Sequence, residues 1–142
     1  LDADGARFAL RHSESVTTDG KMPDGRRNKI AVKVVSVEGF LVMKAYALAG
    51  RSNPKDAYDI YFCLKNHPLG VEGIADRLRL HIKVREVEKA ISILNDKFRG
   101  PEDYGPATVV KFLGSPDPDI RAFQARDAYE RVSRLVTLVR KE

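Results

Sequence analysis

Apolar and polar positions along the chain change their spacing near Ser36, from an alternating pattern to a helical one. Before that point Arg7–Arg11 alternates, and Lys29–Val35 alternates while being rich in β-branched side chains, so both segments are predicted to be strands. Turn residues lie between them at Thr18–Gly20 and Pro23–Gly25. Together these segments predict a short antiparallel sheet of two or three strands. A sheet this small cannot bury both faces, so we expect it to lean on the helices or on chain outside this sequence.

After Ser36, which is a predicted N-cap, the apolar residues recur at helical spacing. Helices are predicted at Val37–Arg51, from Pro54 onward and at Lys83–Phe98, and a last one opens at Ser115–Asp119. Three of these helices have core stripes, whose members are Val37, Phe40, Leu41 and Leu48; Val84, Val87, Ile91, Leu94 and Phe98; and Val132, Leu135, Val136 and Val139.

The fold class that these patterns predict is α+β, with a small N-terminal antiparallel β-sheet followed by a helical bundle of about five helices. We expect residues 1–35 to form the β-rich segment and residues 36–142 to form the bundle. No internal repeat or low-complexity segment interrupts this division.

Two cations interrupt the apolar stripe of the helix that begins at Val37. Lys44 and Arg51 lie about two and four turns after Val37, on the side that Leu41 and Leu48 occupy. A cation on a core stripe loses hydration, so it must reach solvent, pair with a carboxylate, or face a cavity that holds an anion. Such conflicts with the packing pattern tend to mark functional sites.

The next helix carries two carboxylates on its own apolar side. Asn53 is a predicted N-cap and Pro54 the first helical residue, and Asp56 and Asp59 share a stripe with Cys63. Because so short a link separates the two helices, their packing is expected to bring both aspartates toward the two cations of the preceding helix. From spacing alone, a buried ion pair that fixes how the helices meet and a functional site are equally good interpretations.

This pair of helices also carries a recognisable motif, which runs over Val42–Leu48 and Gly50–Phe62. A lysine-bearing helix is followed by an arginine and then by the segment Lys55-Asp56-Ala57-Tyr58-Asp59. The arrangement resembles the signature of the AbiEii/AbiGii-type nucleotidyltransferases, a toxin family related to the DNA polymerase β superfamily. The resemblance is specific over about 20 residues, because it fixes the charged positions together with their apolar frame.

The resemblance implies transfer of a nucleoside monophosphate from an NTP to tRNA or to a protein hydroxyl. It assigns Lys44 to the triphosphate, and Arg51 and Lys55 are grouped with it as nucleotide-binding residues. Asp56 matches the essential carboxylate of the family and Asp59 its companion, which makes them the predicted catalytic residues. We expect them to orient the cations, in preference to assisting deprotonation of the acceptor. An antitoxin is a further implied partner.

The chain departs from the family pattern at the metal site. Polymerase-β-like enzymes need an earlier Gly-Ser turn followed by Asp-x-Asp, whose carboxylates bind Mg²⁺. Asp2-Ala3-Asp4 has the spacing but no Gly-Ser before it, and the Asp117-Pro118-Asp119 run after Gly114-Ser115 reads as a loop plus N-cap. We therefore expect no metal site in this chain, which looks like the C-terminal portion of such an enzyme and is expected to catalyse little alone. Mg²⁺ and NTP are expected for the intact enzyme.

Composition and charge add little evidence about the function and the partners of the chain. A formal charge of +5 fits a polyanionic partner and also fits an ordinary solvated surface, and the cluster Arg77, Arg79, His81, Lys83 and Arg85 has acidic neighbours that favour the second interpretation. The single cysteine, Cys63, and the lack of a signal-like or membrane-spanning stretch predict a cytoplasmic protein that contacts no membrane. A non-catalytic helical module that binds a protein or RNA partner is the alternative function, with the Lys44–Asp56 pair as a structural contact.

Overall fold

The computed structural model describes residues 3–141, and this part of the chain contains one β-hairpin and seven α-helices. The α+β class is confirmed, with six helices after the hairpin against about five expected. The elements are α1 (Ala3–Arg11), β1 (Ser13–Lys21), β2 (Arg27–Val35), α2 (Val37–Gly50), α3 (Pro54–Asn66), α4 (Gly70–Arg79), α5 (Arg85–Lys97), α6 (Tyr104–Leu113) and α7 (Pro118–Arg140). None of the described helices is long and apolar enough to cross a bilayer.

The first element is a helix, so the strand predicted at Arg7–Arg11 is wrong. Gly5, Phe8 and Ala9 are its buried residues, at the i, i+3, i+4 spacing of one helical face. This face packs against α2, where a Cβ at Gly5 would lie only 2.9 Å from carbons of Tyr46. Contact with α2, which no local pattern reveals, therefore decides the conformation of the segment.

The Asp-x-Asp spacing at the start of the chain falls on the same helix. Asp4 lies in the first turn of α1, which is not the strand that a metal-binding pair of this type requires, and Asp2 lies outside the described residues. Nothing about this segment favours it as the metal pair.

The hairpin pairs β1 with β2 in antiparallel register, with Val16 opposite Val32 and Asp19 opposite Lys29. Its turn lies at the predicted Pro23–Gly25, where Gly25 has a φ of 89° that only glycine adopts without strain. The other turn, predicted at Thr18–Gly20, is wrong, because these residues continue β1.

The hairpin does not lean on the helices. None of its strand residues is buried, and its apolar face remains 42–53% exposed at Val16, Ile30, Val32 and Val34. Within residues 3–141 the strands make their main contacts with each other. The expected support by the helical bundle is therefore absent from the described part of the chain.

The helical body has one hydrophobic core, and α2 runs through it with neighbours α1, α3 and α5. Ser36 caps α2 as predicted, its hydroxyl oxygen accepting a hydrogen bond from the Gly39 amide. The long helix α7 closes the other side by packing against α4 and α6. Its predicted core stripe is confirmed, since all four members are at most 4% exposed: Val132, Leu135, Val136 and Val139.

Candidate functional site

The junction between α2 and α3 positions the charged residues that the sequence singled out. Helix α2 ends at an extended C-cap, Arg51, and α3 begins after the N-cap Asn53, whose side chain accepts a hydrogen bond from the Lys55 amide. Pro54 occupies the first turn of α3, as predicted. The short link turns the chain sharply, so the carboxyl end of α2 lies beside the first turn of α3.

Asp56 is the centre of the junction, and its side chain is completely buried. Its two carboxylate oxygens accept hydrogen bonds from Arg51 Nε at 2.8 Å and Arg51 Nη2 at 2.9 Å. Lys44 Nζ donates a third bond at 3.1 Å. The guanidinium fork and the ammonium together satisfy a carboxylate that would otherwise be costly to bury.

Asp59 shares the same ammonium one turn further along α3. Its Oδ2 atom lies 2.7 Å from Lys44 Nζ, and both of its oxygens accept bonds from Lys55 Nζ at 2.9 Å. Lys44 thus bridges the two aspartates. We call Lys44, Arg51, Lys55, Asp56 and Asp59 the charged cluster. The sequence prediction that the aspartates and the cations meet is confirmed, while the roles assigned to them remain predictions.

The cluster keeps its groups ionised. The Arg51 guanidinium lowers the pKa of Asp56, opposed by burial and helped by Lys44. Burial opposes ionisation of Asp59, but hydrogen bonds from Lys44 and Lys55 still lower its pKa. Burial would also lower the pKa of Lys44, and its hydrogen bonds with both aspartates outweigh that effect and raise it. At neutral pH the cluster therefore holds three cations and two carboxylates, a surplus of one positive charge.

The cations differ in their access to solvent. The side chain of Lys44 is 15% exposed, whereas those of Arg51 and Lys55 are 49% and 58% exposed. A cavity of about 250 Å³ opens beside the first two of these cations. It is lined by Ala6, Met43, Lys44, Tyr46, Ala47, Gly50 and Arg51. An anion can therefore approach the cluster from this side.

The cluster does not fit a divalent metal. Each carboxylate oxygen of Asp56 and Asp59 already accepts a hydrogen bond from a cation. Among residues 3–141 no three His, Cys, Asp or Glu side chains lie close enough to hold a metal ion. What the cluster offers instead is a set of positioned N–H donors, which suit phosphate or carboxylate groups.

Sequence reasoning missed the walls of the cavity. Met43, Ala47 and Gly50 follow one another at helical spacing along α2, so their shared face was readable, but the contribution of Ala6 depends on how α1 packs. It also missed a polar network in which the Tyr61 hydroxyl donates to Asp127 at 2.6 Å. Those two positions lie on α3 and α7, and no local pattern joins them.

The other charged segments form ion pairs and helix caps away from the charged cluster. In the basic cluster around α4, Arg77 lies 3.6 Å from the Glu38 carboxylate and Arg79 lies 3.3 Å from Asp76. Gly114 ends α6 with a φ of 66°, and Asp117 caps α7 through the amides that follow it. The interpretation of that segment as a loop plus N-cap is confirmed.

Comparison with known proteins adds one match. Residues 9–134 match the family model described as nucleotidyl transferase AbiEii toxin, type IV TA system. The match spans most of the chain and includes the charged cluster, the hairpin, helices α2 to α6, and α7 as far as Arg134. No curated protein and no solved structure matches.

Proposed function

This chain belongs to the AbiEii nucleotidyl transferase toxin family, and we propose that its charged cluster binds the triphosphate of an NTP, whose nucleoside monophosphate is transferred to an RNA or protein acceptor with release of pyrophosphate. One observation carries the proposal: a mostly buried lysine, bridged to two aspartates, lies with Arg51 at the edge of an open cavity. The family description names a type IV toxin–antitoxin system. We propose that the protein acts in the cytoplasm and that it has a cognate antitoxin as a partner.

The cations retain donors for a polyphosphate. An ammonium has three N–H groups, and Lys44 directs two of them to Asp56 and Asp59 among the described residues, which leaves one for a phosphate oxygen. Arg51 uses Nε and one Nη2 hydrogen on Asp56 and retains three N–H groups. The surplus positive charge of the cluster adds attraction for a polyanion.

We assign the two aspartates an orienting role. Their carboxylates are ionised and hydrogen-bonded to cations, and Asp56 has no exposed surface from which to reach an acceptor hydroxyl. A general base needs hydrogen-bond access to the proton that it removes. Asp56 and Asp59 instead fix the direction of the Lys44 ammonium, which makes them positioning residues for phosphate binding.

We further propose that the chain corresponds to the C-terminal portion of a polymerase-β-like nucleotidyltransferase and has little activity alone. The proposal rests on the sequence, which contains no Gly-Ser turn followed by Asp-x-Asp on a strand, and on the poor fit of the charged cluster to a metal. In an intact enzyme the Asp-x-Asp carboxylates would hold Mg²⁺, which would supply charge to polarise the phosphates and help to activate the nucleophile. Within the segment expected to be β-rich, the hairpin of β1 and β2 then forms the end of the catalytic sheet, while α1 packs with the helical bundle that follows Ser36.

Nucleotide titration tests this function. Calorimetric titration of the chain with each NTP, with and without Mg²⁺, is expected to give saturable binding that Lys44→Ala weakens about 10-fold or more, the loss of one hydrogen bond to a charged group. Lys111→Ala, at an exposed position on α6, is the matched control and should leave the affinity unchanged. Circular dichroism checks that both variants fold. Equal NTP affinity of Lys44→Ala and the parent chain would refute the proposal.

The alternative is a non-catalytic module that binds a protein or RNA partner, with the cluster as a structural lock between α2 and α3. The observation that favours it is the complete pairing of Asp56 and Asp59 with cations. In that case the parent chain shows no saturable NTP binding, while Lys44→Ala and Asp56→Ala both lower the urea midpoint. This result is distinct from a loss of NTP affinity in variants that remain folded.

A further inference from the structure

The cavity beside the charged cluster exists because small residues line two facing helices. On α2, Ala47 and Gly50 occupy neighbouring turns, and a Cβ at Gly50 would meet nothing within 4 Å. Across from them, α1 contributes Ala6. Larger side chains at these positions would fill the space between the helix surfaces, so the cavity is a direct consequence of local sequence.

The walls of this cavity are apolar, and its charge lies in Lys44 and Arg51 alone. Met43, Ala47 and Ala6 supply methyl and thioether groups, and Tyr46 supplies a ring that is only 5% exposed. The ring is held in place from two sides, since Gly5 packs directly against it and Lys89 Nζ lies 5.0 Å from its centroid. The side of the cavity that Tyr46 forms is therefore rigid.

A cavity with apolar walls and two cations in its lining fits a ligand with an apolar part joined to a polyanion. We propose that it is the slot for the nucleobase of the NTP, with the triphosphate reaching Lys44 and Arg51. This inference rests on the proposed function and adds a second contact to it. At about 250 Å³ the cavity is below the usual range of about 300–1,000 Å³ for sites that enclose a whole small molecule. Its size therefore suits a base whose sugar and phosphates lie outside it.

The lining also predicts weak selectivity among bases. Apart from Tyr46 and the two cations, no lining residue has a polar side chain that can read the hydrogen-bonding edge of a base. Apolar contact with a base is tolerant of its identity, because every base has a π-face. We expect ATP, GTP, CTP and UTP to bind with affinities within about 10-fold of one another.

Filling the slot tests the proposal, with tripolyphosphate as the probe that has no base. Ala47→Leu and, from the opposite helix, Ala6→Leu are expected to weaken NTP binding about 10-fold or more, an effect typical of lost packing in a small pocket. Both should leave tripolyphosphate binding within about twofold of the parent. Ala49→Leu, on the same helix but outside the cavity lining, is the matched control and should change neither affinity.

The outcomes separate this proposal from the one on which it rests. If the parent chain binds NTP and tripolyphosphate but Ala47→Leu and Ala6→Leu bind NTP normally, the slot is refuted and the phosphate site stands. An equal loss of both ligands in the two variants also refutes the slot, because the effect then lies at the cations. If the parent binds neither ligand, both proposals fail. Thermal melts of the two variants identify any loss of folding. If one variant does not fold, the binding data of the other variant, whose substitution lies on the other helix, decide whether the slot exists.

Discussion

Neutralising Asp56 is the sharpest test of how the charged cluster is held together. In Asp56→Asn the shape of the side chain is kept, but one of the two oxygens becomes an NH₂ group that faces cationic donors. The parent carboxylate is fully buried and accepts three bonds from two cations, of which Lys44 retains its partner Asp59 and the half-exposed Arg51 can bind water. Hydrogen bonds to charged groups contribute about 1.5–3 kcal/mol each, and breaking a buried pair costs about 3–5 kcal/mol.

Because Lys44 keeps its partner Asp59 and Arg51 can bind water, part of this loss is compensated. We therefore expect Asp56→Asn to lower the free energy of unfolding by about 2–4 kcal/mol at pH 7. Urea denaturation followed by circular dichroism should show a lower midpoint at an unchanged m-value. Asp76→Asn is the control, because that carboxylate is 73% exposed and pairs with Arg79 on the surface. A surface pair of this kind should change the stability by about 0.5 kcal/mol or less.

The pH dependence identifies the source of the loss. The folded state lowers the pKa of Asp56, so its contribution is complete above the unfolded value of about 3.9 and is lost as the pH falls through the lower folded value. The stability difference between the parent and Asp56→Asn should therefore be constant from pH 7 to about pH 5 and shrink below about pH 4. A difference that is absent at pH 7, or that is the same at pH 3 as at pH 7, would refute the reasoning.

Three further predictions concern other parts of the fold. Gly105→Ala should lower the free energy of unfolding by about 1–3 kcal/mol in urea titrations, because its Cβ would lie 2.5 Å from the ring of Phe98; a variant as stable as the parent would contradict this packing. Tyr61→Phe should cost about 1 kcal/mol, since it removes the 2.6 Å bond to Asp127, and no change in midpoint would argue against that bond. Burial raises the pKa of Cys63 to about 11, so its reaction with a thiol reagent at pH 8 should be about 50-fold or more slower than in urea-unfolded chain, and equal rates would exclude the burial effect.

Local signals explain why α2 and α3 could be predicted from the sequence. Ser36 and Asn53 cap their helices and Pro54 occupies a first turn, and all three act within a few residues of the chain. The first helix could not be predicted in this way, because Phe8 and Leu10 lie two residues apart, as on one face of a strand, while the neighbouring Ala9 also fits a helical face. Contact between Gly5 and α2, far along the chain, decides between the two.

One part of the candidate site could likewise be predicted from the sequence, and another part could not. Cations on an apolar stripe predicted that Lys44 and Arg51 must find carboxylates, and the short link between the helices supplied Asp56 as the nearest one. The geometry of the cavity required the packing of α1 against α2, which placed Ala6 across from Ala47. Periodicity reveals which face of a helix is apolar, but not how closely another helix approaches it.

The solvent-exposed hairpin has a practical consequence for handling the protein. A sheet of two strands has two open edges, each with backbone N–H and C=O groups that can pair with a neighbouring molecule. Val16, Ile30 and Val32 make one side of this hairpin apolar. The lysines at positions 29 and 33 lie on the reverse side, where their charge repulsion opposes close stacking of two molecules. High salt screens that repulsion, so purified protein should aggregate more readily in concentrated salt than in dilute buffer.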